Sequence, residues 1–189
     1  MNKKMINAAC AGLLALSLAG CSSAPKESAK ESSAAARVEA VDYEETFDVS
    51  TAEFETAEFH GMTYEMVKGW SGRKMSQDDD AVTYLISGQK DVIELHFTSD
   101  DPDTFLKDVD ASVYGNVVST EDKDIAGTKG KYVQATTTVA SSIIEDANCD
   151  LYLIPTSEGT IIVRFTIDPN GKIDYQPVVD HLLETAKLA

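Results

Sequence analysis

The sequence predicts an α+β domain in which an antiparallel β-sheet is covered by helices. Two observations lead to this prediction. Several stretches alternate apolar and polar residues with a period of two, which is typical of strands with one buried face. Two other stretches change to the helical period and carry helix-start signals. An amphipathic helix buries its apolar stripe when it packs on the apolar face of such a sheet.

The predicted strands are short and are joined by turn-forming residues. The period-two pattern begins near Phe54–Phe59 and recurs in segments 62–66, 82–86, 93–97, 133–139 and 161–167. In segment 161–167 the apolar row includes Phe165, and Arg164 lies on the opposite, polar side. Segments 87–91 (SGQKD) and 155–159 (PTSEG) are rich in turn residues, so they predict hairpins between the strands that they join.

Two helices are predicted from their start signals and their spacing. The first begins at Pro102, with Asp100 or Asp101 as its N-cap. The second covers about residues 174–187, with Asp174 as its cap and Lys187 at the negative end of its dipole. The apolar residues of this helix follow the i, i+3, i+4, i+7 rule: Tyr175, Val178, Val179, Leu182, Leu183 and Ala186.

The N-terminal residues 1–20 have the three parts of a secretory signal peptide. Lys3 and Lys4 form the positive region, residues 5–18 are mostly apolar, and the small residues Ala19 and Gly20 follow. The apolar stretch is shorter than the roughly 18 to 20 residues that a permanent membrane-spanning helix needs. We therefore expect cleavage after this segment.

The end of this segment, Leu18-Ala19-Gly20-Cys21, resembles the lipobox of bacterial lipoproteins, and all four positions match. The resemblance implies that the Cys21 thiol receives a diacylglyceryl group and that the chain is cut just before this residue. Sulfur is the best side-chain nucleophile for such an alkyl transfer. Cys21 is thus the predicted lipid attachment site. The alternative is an ordinary signal peptide followed by an incidental cysteine.

Residues 21–45 are predicted to be the lipidated cysteine and a disordered tether. Segment 22–36, SSAPKESAKESSAAA, contains no apolar residue larger than alanine, so it cannot bury enough surface to offset its ordering entropy. About twenty such residues span roughly 25 Å on average. The folded domain, predicted at residues 46–189, is therefore expected to stay close to the membrane.

Segment 61–74, GMTYEMVKGWSGRK, resembles the opening strand of small PsbP-like domains, in which a Gly-x-x-aromatic-x-aliphatic strand runs into a turn with a tryptophan. The order that follows also agrees: a hairpin, a short helix, IAGTKGKYV at 125–133, a second hairpin at 150–165 and a closing helix. The resemblance covers about residues 60–188 and is greatest to small lipoproteins of Gram-positive bacteria. It implies a PsbP-like fold, and it carries over no catalytic residue.

The charge of the chain limits the class of its partners. The formal net charge is −16, and it becomes −18 when Lys3 and Lys4 leave with the signal peptide. A surface this acidic repels phosphate backbones, and nucleic acid is therefore not expected as a partner. The surface either serves solubility or attracts cations or a basic partner.

Histidine and cysteine residues give no recognisable catalytic or metal-binding motif. His60, His96 and His181 lack the spacing of zinc ligands, and His181 is predicted on the solvent side of the last helix. Cys149 alternates with the leucines at 151 and 153, which predicts a buried position. The interpretation is a core cysteine, with a reactive thiol as the alternative.

The acidic loops and the single tryptophan are interpreted in the same way. Acids cluster at residues 78–80 and 100–103, and segment 168–174 (DPNGKID) begins like a calcium loop. That segment lacks the position-12 glutamate of an EF-hand, so an Asn-Gly turn is favoured. Trp70 is interpreted as a packing residue, and an exposed binding aromatic is the alternative.

Taken together, these observations predict a lipid-anchored binding or accessory module at the outer face of the cytoplasmic membrane. No catalytic residue, cofactor or metal site is predicted. The expected partners are the membrane, through the lipid on Cys21, and an envelope protein or small ligand. The alternatives are an envelope hydrolase and a cation-binding lipoprotein. A buried ionisable cluster in a deep pocket would favour the hydrolase, and a smooth sheet face would favour the binding module.

Overall fold

A computed structural model describes residues 37–39, 41–70, 72–74, 80–86, 89–137 and 147–189. The predicted signal peptide, Cys21 and most of the predicted tether lie outside these residues, as do Asp78, Asp79 and Val139. No helix in the described part of the chain is both long enough and apolar enough to span a bilayer.

The described chain is mainly β-structure with three helices. The strands are β1 (Glu45–Thr46), β2 (Phe54–Phe59), β3 (Met62–Val67), β4 (Gly72–Lys74), β5 (Ala81–Leu85), β6 (Val92–Thr98), β7 (Asn116–Ile125), β8 (Thr128–Thr136), β9 (Asn148–Pro155), β10 (Thr160–Ile167), β11 (Ile173–Asp174) and β12 (Lys187–Leu188). The helices are α1 (Pro102–Lys107), α2 (Ala111–Tyr114) and α3 (Gln176–Thr185).

The described strands form one large sheet and two small ones. Seven strands pair in the order β4-β5-β6-β10-β9-β8-β7, and every pair is antiparallel, which confirms the antiparallel prediction. Strands β12, β3 and β2 form a separate antiparallel sheet, and β1 pairs with β11 in parallel. Part of the cover over the large sheet is therefore a second sheet, whereas the sequence predicted helices alone.

The central strand β10 is buried along its whole length. On one side of the large sheet, Phe165 packs with Met62 of β3 and Leu182 of α3; this side is called the α3 face. On the other side, Ile162 packs with Phe105 of α1; this side is called the α1 face. The prediction of a single buried face is wrong for this strand, because Phe105 of α1 and Tyr114 of α2 pack on the side that carries its polar row.

The first helix agrees with its sequence signals. Asp101 is its N-cap, and Oδ1 of this residue accepts hydrogen bonds from the backbone N–H groups of Asp103 and Thr104 at 2.9 and 3.0 Å. Pro102 occupies the first turn, where its missing N–H costs nothing. The predicted start of α1 is confirmed.

The last helix differs from its prediction at both ends. Its N-cap is Tyr175, one residue after the predicted cap Asp174, whose carboxylate accepts from the Gln176 N–H at 2.9 Å. The helix ends at Thr185, so Lys187 does not lie in its last turn. Lys187 instead belongs to strand β12, which pairs with β3. The edge of β3 offers hydrogen-bond partners for backbone groups that a longer helix would leave to solvent.

Two tight turns place the strands that carry the histidines and tyrosines. His60 and Gly61 join β2 to β3 with φ angles of 45° and 73°, the two left-handed conformations that a two-residue hairpin turn requires. The predicted hairpin at 155–159 is confirmed by the bond from the Thr156 N–H to the Gly159 carbonyl at 2.7 Å. A Cβ at Gly159 would collide with the carbonyl oxygen of Thr98, so only glycine fits there.

Residues before the predicted domain start also contact the folded part. Arg37 Nη1 donates to Asp150 Oδ1 at 2.6 Å, and the Val38 N–H donates to Asn148 Oδ1 at 3.1 Å. Tyr43 packs against the main core. The described structure thus has contacts to the domain within segment 37–45, which the sequence assigned to the tether.

Candidate functional site

The three histidines lie in separate environments. His60 stacks on Phe97 with ring centroids 4.0 Å apart, and its Nε2 lies 3.3 Å from Oδ1 of Asp80. His181 stacks on Phe54 at 3.9 Å, and its Nε2 lies 2.9 Å from a carboxylate oxygen on β3. The solvent-side prediction for His181 is therefore wrong, because the three-stranded sheet packs along α3. No group of three or more potential ligands among the described residues is arranged to hold a metal ion.

Cys149 is fully buried on the α1 face, as the alternation predicted. Its Sγ lies 3.5 Å from Oγ1 of Thr166, the residue that faces it on β10. A thiol with no exposed surface is out of reach of reactants in solution, so this environment disfavours reactivity.

The acidic loops bond mainly to their own backbone. In segment 168–171, the Gly171 N–H donates to the Asp168 carbonyl at 2.9 Å, and the Asn170 N–H donates to the Asp168 side chain at 2.9 Å. These bonds confirm the predicted turn. Asp103, in the other described acidic loop, lies 3.2 Å from Nζ of Lys131.

Trp70 is a packing residue, which confirms the interpretation favoured by the sequence. Its ring centroid lies 5.6 Å from that of Phe47 and 5.7 Å from that of Tyr175. Phe47 and Tyr175 are also 5.7 Å apart, so the three rings form one cluster at the edge of the core.

A buried ionisable cluster lies on the α1 face, where three strands place polar residues in one row. Thr83, Glu94 and Arg164 are direct neighbours in the register of β5, β6 and β10. Arg164 Nη1 donates to Glu94 Oε2 at 2.6 Å, and Thr83 Oγ1 donates to Glu94 Oε1 at 3.4 Å. Arg164 is only 8% exposed. Such a pair strongly resists removal of one partner, because the other charge would remain buried.

His96 belongs to the same cluster. It lies two residues beyond Glu94 on the same face of β6; its Nε2 is 4.0 Å from Glu94 Oε1, and its ring is 5.4 Å from that of Tyr114. Burial lowers the pKa of His96; the Glu94 charge opposes this shift and the Arg164 charge adds to it. His96 Nε2 and Arg164 Nε are buried and have no hydrogen-bond partner among the described residues. The cluster is an internal polar network with a neutral imidazole.

A second arrangement, here called the tyrosine site, consists of Lys123, Tyr132, Tyr152, Gln176 and Asp180. Tyr132 on β8 and Tyr152 on β9 face each other in register on the α3 face, with ring centroids 5.1 Å apart. Lys123 on the edge strand β7 places its Nζ 5.2 Å from one ring centroid and 5.0 Å from the other. The two rings therefore hold one ammonium group between strand β7 and helix α3.

Helix α3 fixes the inner tyrosine of this site. Gln176 Nε2 donates to the Tyr152 hydroxyl at 3.0 Å and to Asp180 Oδ1 at 2.9 Å. Burial raises the pKa of Tyr152, and the charges of Asp150 and Asp180 add to this shift. Burial also raises the pKa of Tyr132, again with a contribution from Asp150. Both phenols thus stay neutral at physiological pH, and the cation that lies near their rings is Lys123.

Three surface depressions accompany these clusters. One, of about 370 Å³, lies between the β7–β8 turn and α3 and is lined by Lys123, Asp180, Leu183 and Glu184. A second, of about 510 Å³, lies beside the start of α1, and a third, of about 600 Å³, lies beside His60. The Glu94–Arg164 pair lines none of these three depressions, whereas Lys123 of the tyrosine site lines both the first and the second.

The sequence did not reveal either cluster. Glu94 and Arg164 were placed on polar strand faces, but their contact depends on the pairing of β6 with β10. Tyr132 and Tyr152 meet only because β8 pairs with β9, and Lys123 reaches them from β7, which has no strand-like alternation. A search for tyrosines on neighbouring predicted strands would have been the only sequence signal.

No protein-family model and no curated protein matches the chain. Among solved structures, cyanobacterial PsbP (CyanoP) from Synechocystis sp. PCC 6803 is similar, with a TM-score of 0.50 and 9% identity over 75% of this chain and 95% of that chain. The Ran-binding protein Mog1p of Saccharomyces cerevisiae has a TM-score of 0.44 and 11% identity, over 73% of this chain and 96% of its own. The likeness to CyanoP confirms the predicted PsbP-like fold and, at this identity, shows the fold alone.

Proposed function

We propose that this PsbP-like domain is a binding or accessory module that is anchored by lipid at the outer face of the cytoplasmic membrane of a Gram-positive bacterium. One observation carries the proposal: the apolar N-terminal segment ends in Leu18-Ala19-Gly20-Cys21, which resembles a lipobox. In this proposal Cys21 carries a diacylglyceryl group and becomes the first residue of the mature chain.

Such an anchor is strong enough to be permanent. Each buried methylene contributes about 0.8 kcal/mol, and a single myristoyl chain still binds only reversibly, so two chains are needed for stable attachment. Charge cannot replace the lipid, because Lys26 and Lys30 in the tether are offset by Glu27 and Glu31. An acidic mature chain is also repelled by anionic lipid.

The contacts of the Glu94–Arg164 cluster and of the tyrosine site favour a binding function over hydrolysis. In the Glu94 side chain, one oxygen already accepts from Arg164 and the other from Thr83. A catalytic base needs a reacting group within reach, and the depressions described above lie away from this carboxylate. The tyrosine site, in contrast, borders a depression through Lys123 and Asp180, and the aromatic rings and the Gln176 amide lie directly behind Lys123 and Asp180.

The anchor is tested by comparing wild type with Cys21→Ala in the producing bacterium. Detergent phase partitioning and the intact mass of the N-terminal peptide are measured together. Wild-type protein is expected in the detergent phase with a lipid-modified peptide, whereas processed Cys21→Ala protein is expected in the medium. Molecular weight must be compared as well, because uncleaved precursor stays on the membrane through its signal segment.

Cys10→Ala is the matched control. Cys10 lies inside the predicted signal peptide, so its replacement removes a thiol without changing the mature chain. This variant is expected to partition like wild type. The proposal is wrong if wild-type protein enters the aqueous phase and its N-terminal peptide carries no lipid mass.

A further inference from the structure

We infer that the tyrosine site binds the ammonium group of a ligand, and that Lys123 occupies this site when no ligand is bound. The inference rests on the proposed binding function and names the class of its ligand. The chemistry that would recognise such a ligand is the attraction of a cation to the faces of Tyr132 and Tyr152.

The position of Lys123 supplies the first argument. Its Nζ lies within the roughly 6 Å at which a cation is attracted to a ring face, and it does so for two rings at once. The rings are held in place independently of Lys123, because Tyr132 and Tyr152 are paired across β8 and β9 and the Tyr152 hydroxyl is bonded to Gln176. The two rings therefore form a prepared cation site that a foreign ammonium group could enter.

The neighbouring lysines supply the second argument. Lys129 lies 3.2 Å from Asp124, and Lys131 lies 2.9 Å from Asp122, so each of them has a carboxylate partner. Lys123 stands between these two acids in sequence, yet within the described residues it has no carboxylate within 4.0 Å. It is also exposed, on the edge strand of the sheet. Lys123 can therefore leave the rings without breaking an ion pair.

The surroundings supply room and charge for a ligand. The depression of about 370 Å³ begins at Lys123 and continues to Asp180 and Glu184 on α3. An ammonium group that replaces Lys123 would leave the rest of its molecule in this depression, beside two carboxylates. The net charge of the chain, −16, raises the local concentration of cations near the surface.

The test uses the purified full chain in detergent, with tyrosines labelled with ¹³C in the ring. The chain has seven tyrosines, so the resonances of Tyr132 and Tyr152 can be assigned with single Tyr→Phe variants. Choline and butylammonium are titrated as quaternary and primary ammonium probes. The Lys123 ammonium is a tethered competitor of the probe, so its removal raises the affinity for the probe. Lys123→Ala is therefore expected to bind at least one probe at least about fivefold more tightly than wild type.

Three controls make the result specific. Lys129→Ala removes the same charge from the adjacent strand, but the ammonium of Lys129 contacts Asp124 and not the rings, so its affinity should equal that of wild type. The neutral choline isostere 3,3-dimethylbutan-1-ol should not shift the two tyrosine resonances. Tyr132→Leu in the Lys123→Ala background keeps apolar volume, removes one ring face and should abolish saturable binding.

The inference is overturned if neither probe shifts the Tyr132 or Tyr152 resonances of the Lys123→Ala variant in a saturable manner. It is also overturned if the neutral isostere binds as well as choline, or if Lys129→Ala gains as much affinity as Lys123→Ala. These outcomes are distinct from failure of the proposed anchor, because the phase-partitioning result does not depend on the tyrosine site.

Discussion

Replacing Phe165 by alanine is the strongest test of the core and of the strand register. Phe165 is 1% exposed and lies in β10, the middle strand of the seven. Its ring packs on the α3 face with Ile93 in the next strand and Leu182 of α3. No polar atom is lost with this ring, so the change in the free energy of unfolding measures burial and packing.

The magnitude follows from the buried area. A phenylalanine buries about 200 Å², which at about 25 cal/mol per Å² corresponds to roughly 5 kcal/mol. Alanine retains a small part of this area, while the cavity left behind adds a cost of its own. Phe165→Ala is therefore expected to lower the free energy of unfolding by about 3 to 5 kcal/mol.

Urea denaturation, monitored by the fluorescence of the single tryptophan, measures this loss. Trp70 packs against Phe47 and Tyr175 at the edge of the same core, so its emission reports loss of tertiary structure. Phe97→Ala is the matched control: Phe97 is half-buried on the neighbouring strand, so a loss of about 1 to 2 kcal/mol is expected. A loss below about 1 kcal/mol for Phe165→Ala would refute the register, because a slip by one residue would move this side chain off the α3 face and away from Ile93 and Leu182.

Two further predictions concern buried ionisable groups. Asp91 accepts the Asp168 N–H at 3.0 Å through Oδ1, its Oδ2 has no partner in the described residues, and burial raises its pKa. Asp91→Asn keeps the hydrogen-bond acceptor and removes the charge, so it should not lower the free energy of unfolding at pH 7. Asp91→Ala removes the acceptor and should lower the free energy of unfolding by about 1 to 2 kcal/mol. Equal losses for the two variants in urea denaturation would contradict this prediction. For His96, whose pKa is lowered by burial, the unfolded chain takes up the proton first, so stability should fall as the pH drops below about 6.5. Urea denaturation at pH 7.5 and 5.5 should show a smaller pH effect for His96→Gln; an unchanged effect would show that other groups cause it.

The local signals of the sequence predicted the local structure well. The Asp101 cap, the hairpin at 155–159 and the turn at 168–171 all follow from residues that act within a few positions of one another. Caps and turns are formed by short-range hydrogen bonds, so their residues are visible without knowledge of the fold.

The longest strand in the described part of the chain was missed for a physical reason. Strand β7, Asn116–Ile125, contains a run of Glu, Asp, Lys and Asp and has no alternating apolar row. It is held by pairing with β8 at the edge of the sheet, where charged side chains face solvent and hinder pairing with other chains. Edge strands of this kind carry little hydrophobic signal, so a periodicity search does not find them.

The double burial of β10 was missed because its second face is polar. Arg164 and Thr166 suggested a solvated side, but the ion pair with Glu94 makes burial of Arg164 tolerable. The sequence shows which residues are charged, whereas the partner that compensates the charge lies on another strand, 70 residues away. Contacts of such long range depend on the topology, and this also holds for the tyrosine pair.

Replacing an internal contact by a ligand costs more free energy at the Glu94–Arg164 pair than at the tyrosine site. This difference favours the tyrosine site as the ligand-binding site. Opening the buried Glu94–Arg164 pair would leave one charge unpaired, at a cost of about 3 to 5 kcal/mol before any ligand contact forms. Moving Lys123 off its two rings gives up an exposed cation–π contact of about 0.5 to 1 kcal/mol per ring, and water solvates the freed ammonium. A ligand ammonium forms the same cation–π contact, so the free energy lost by Lys123 at the rings is nearly equal to the free energy that the ligand gains there. The net affinity then comes from what the rest of the ligand gains beside Asp180 and Glu184.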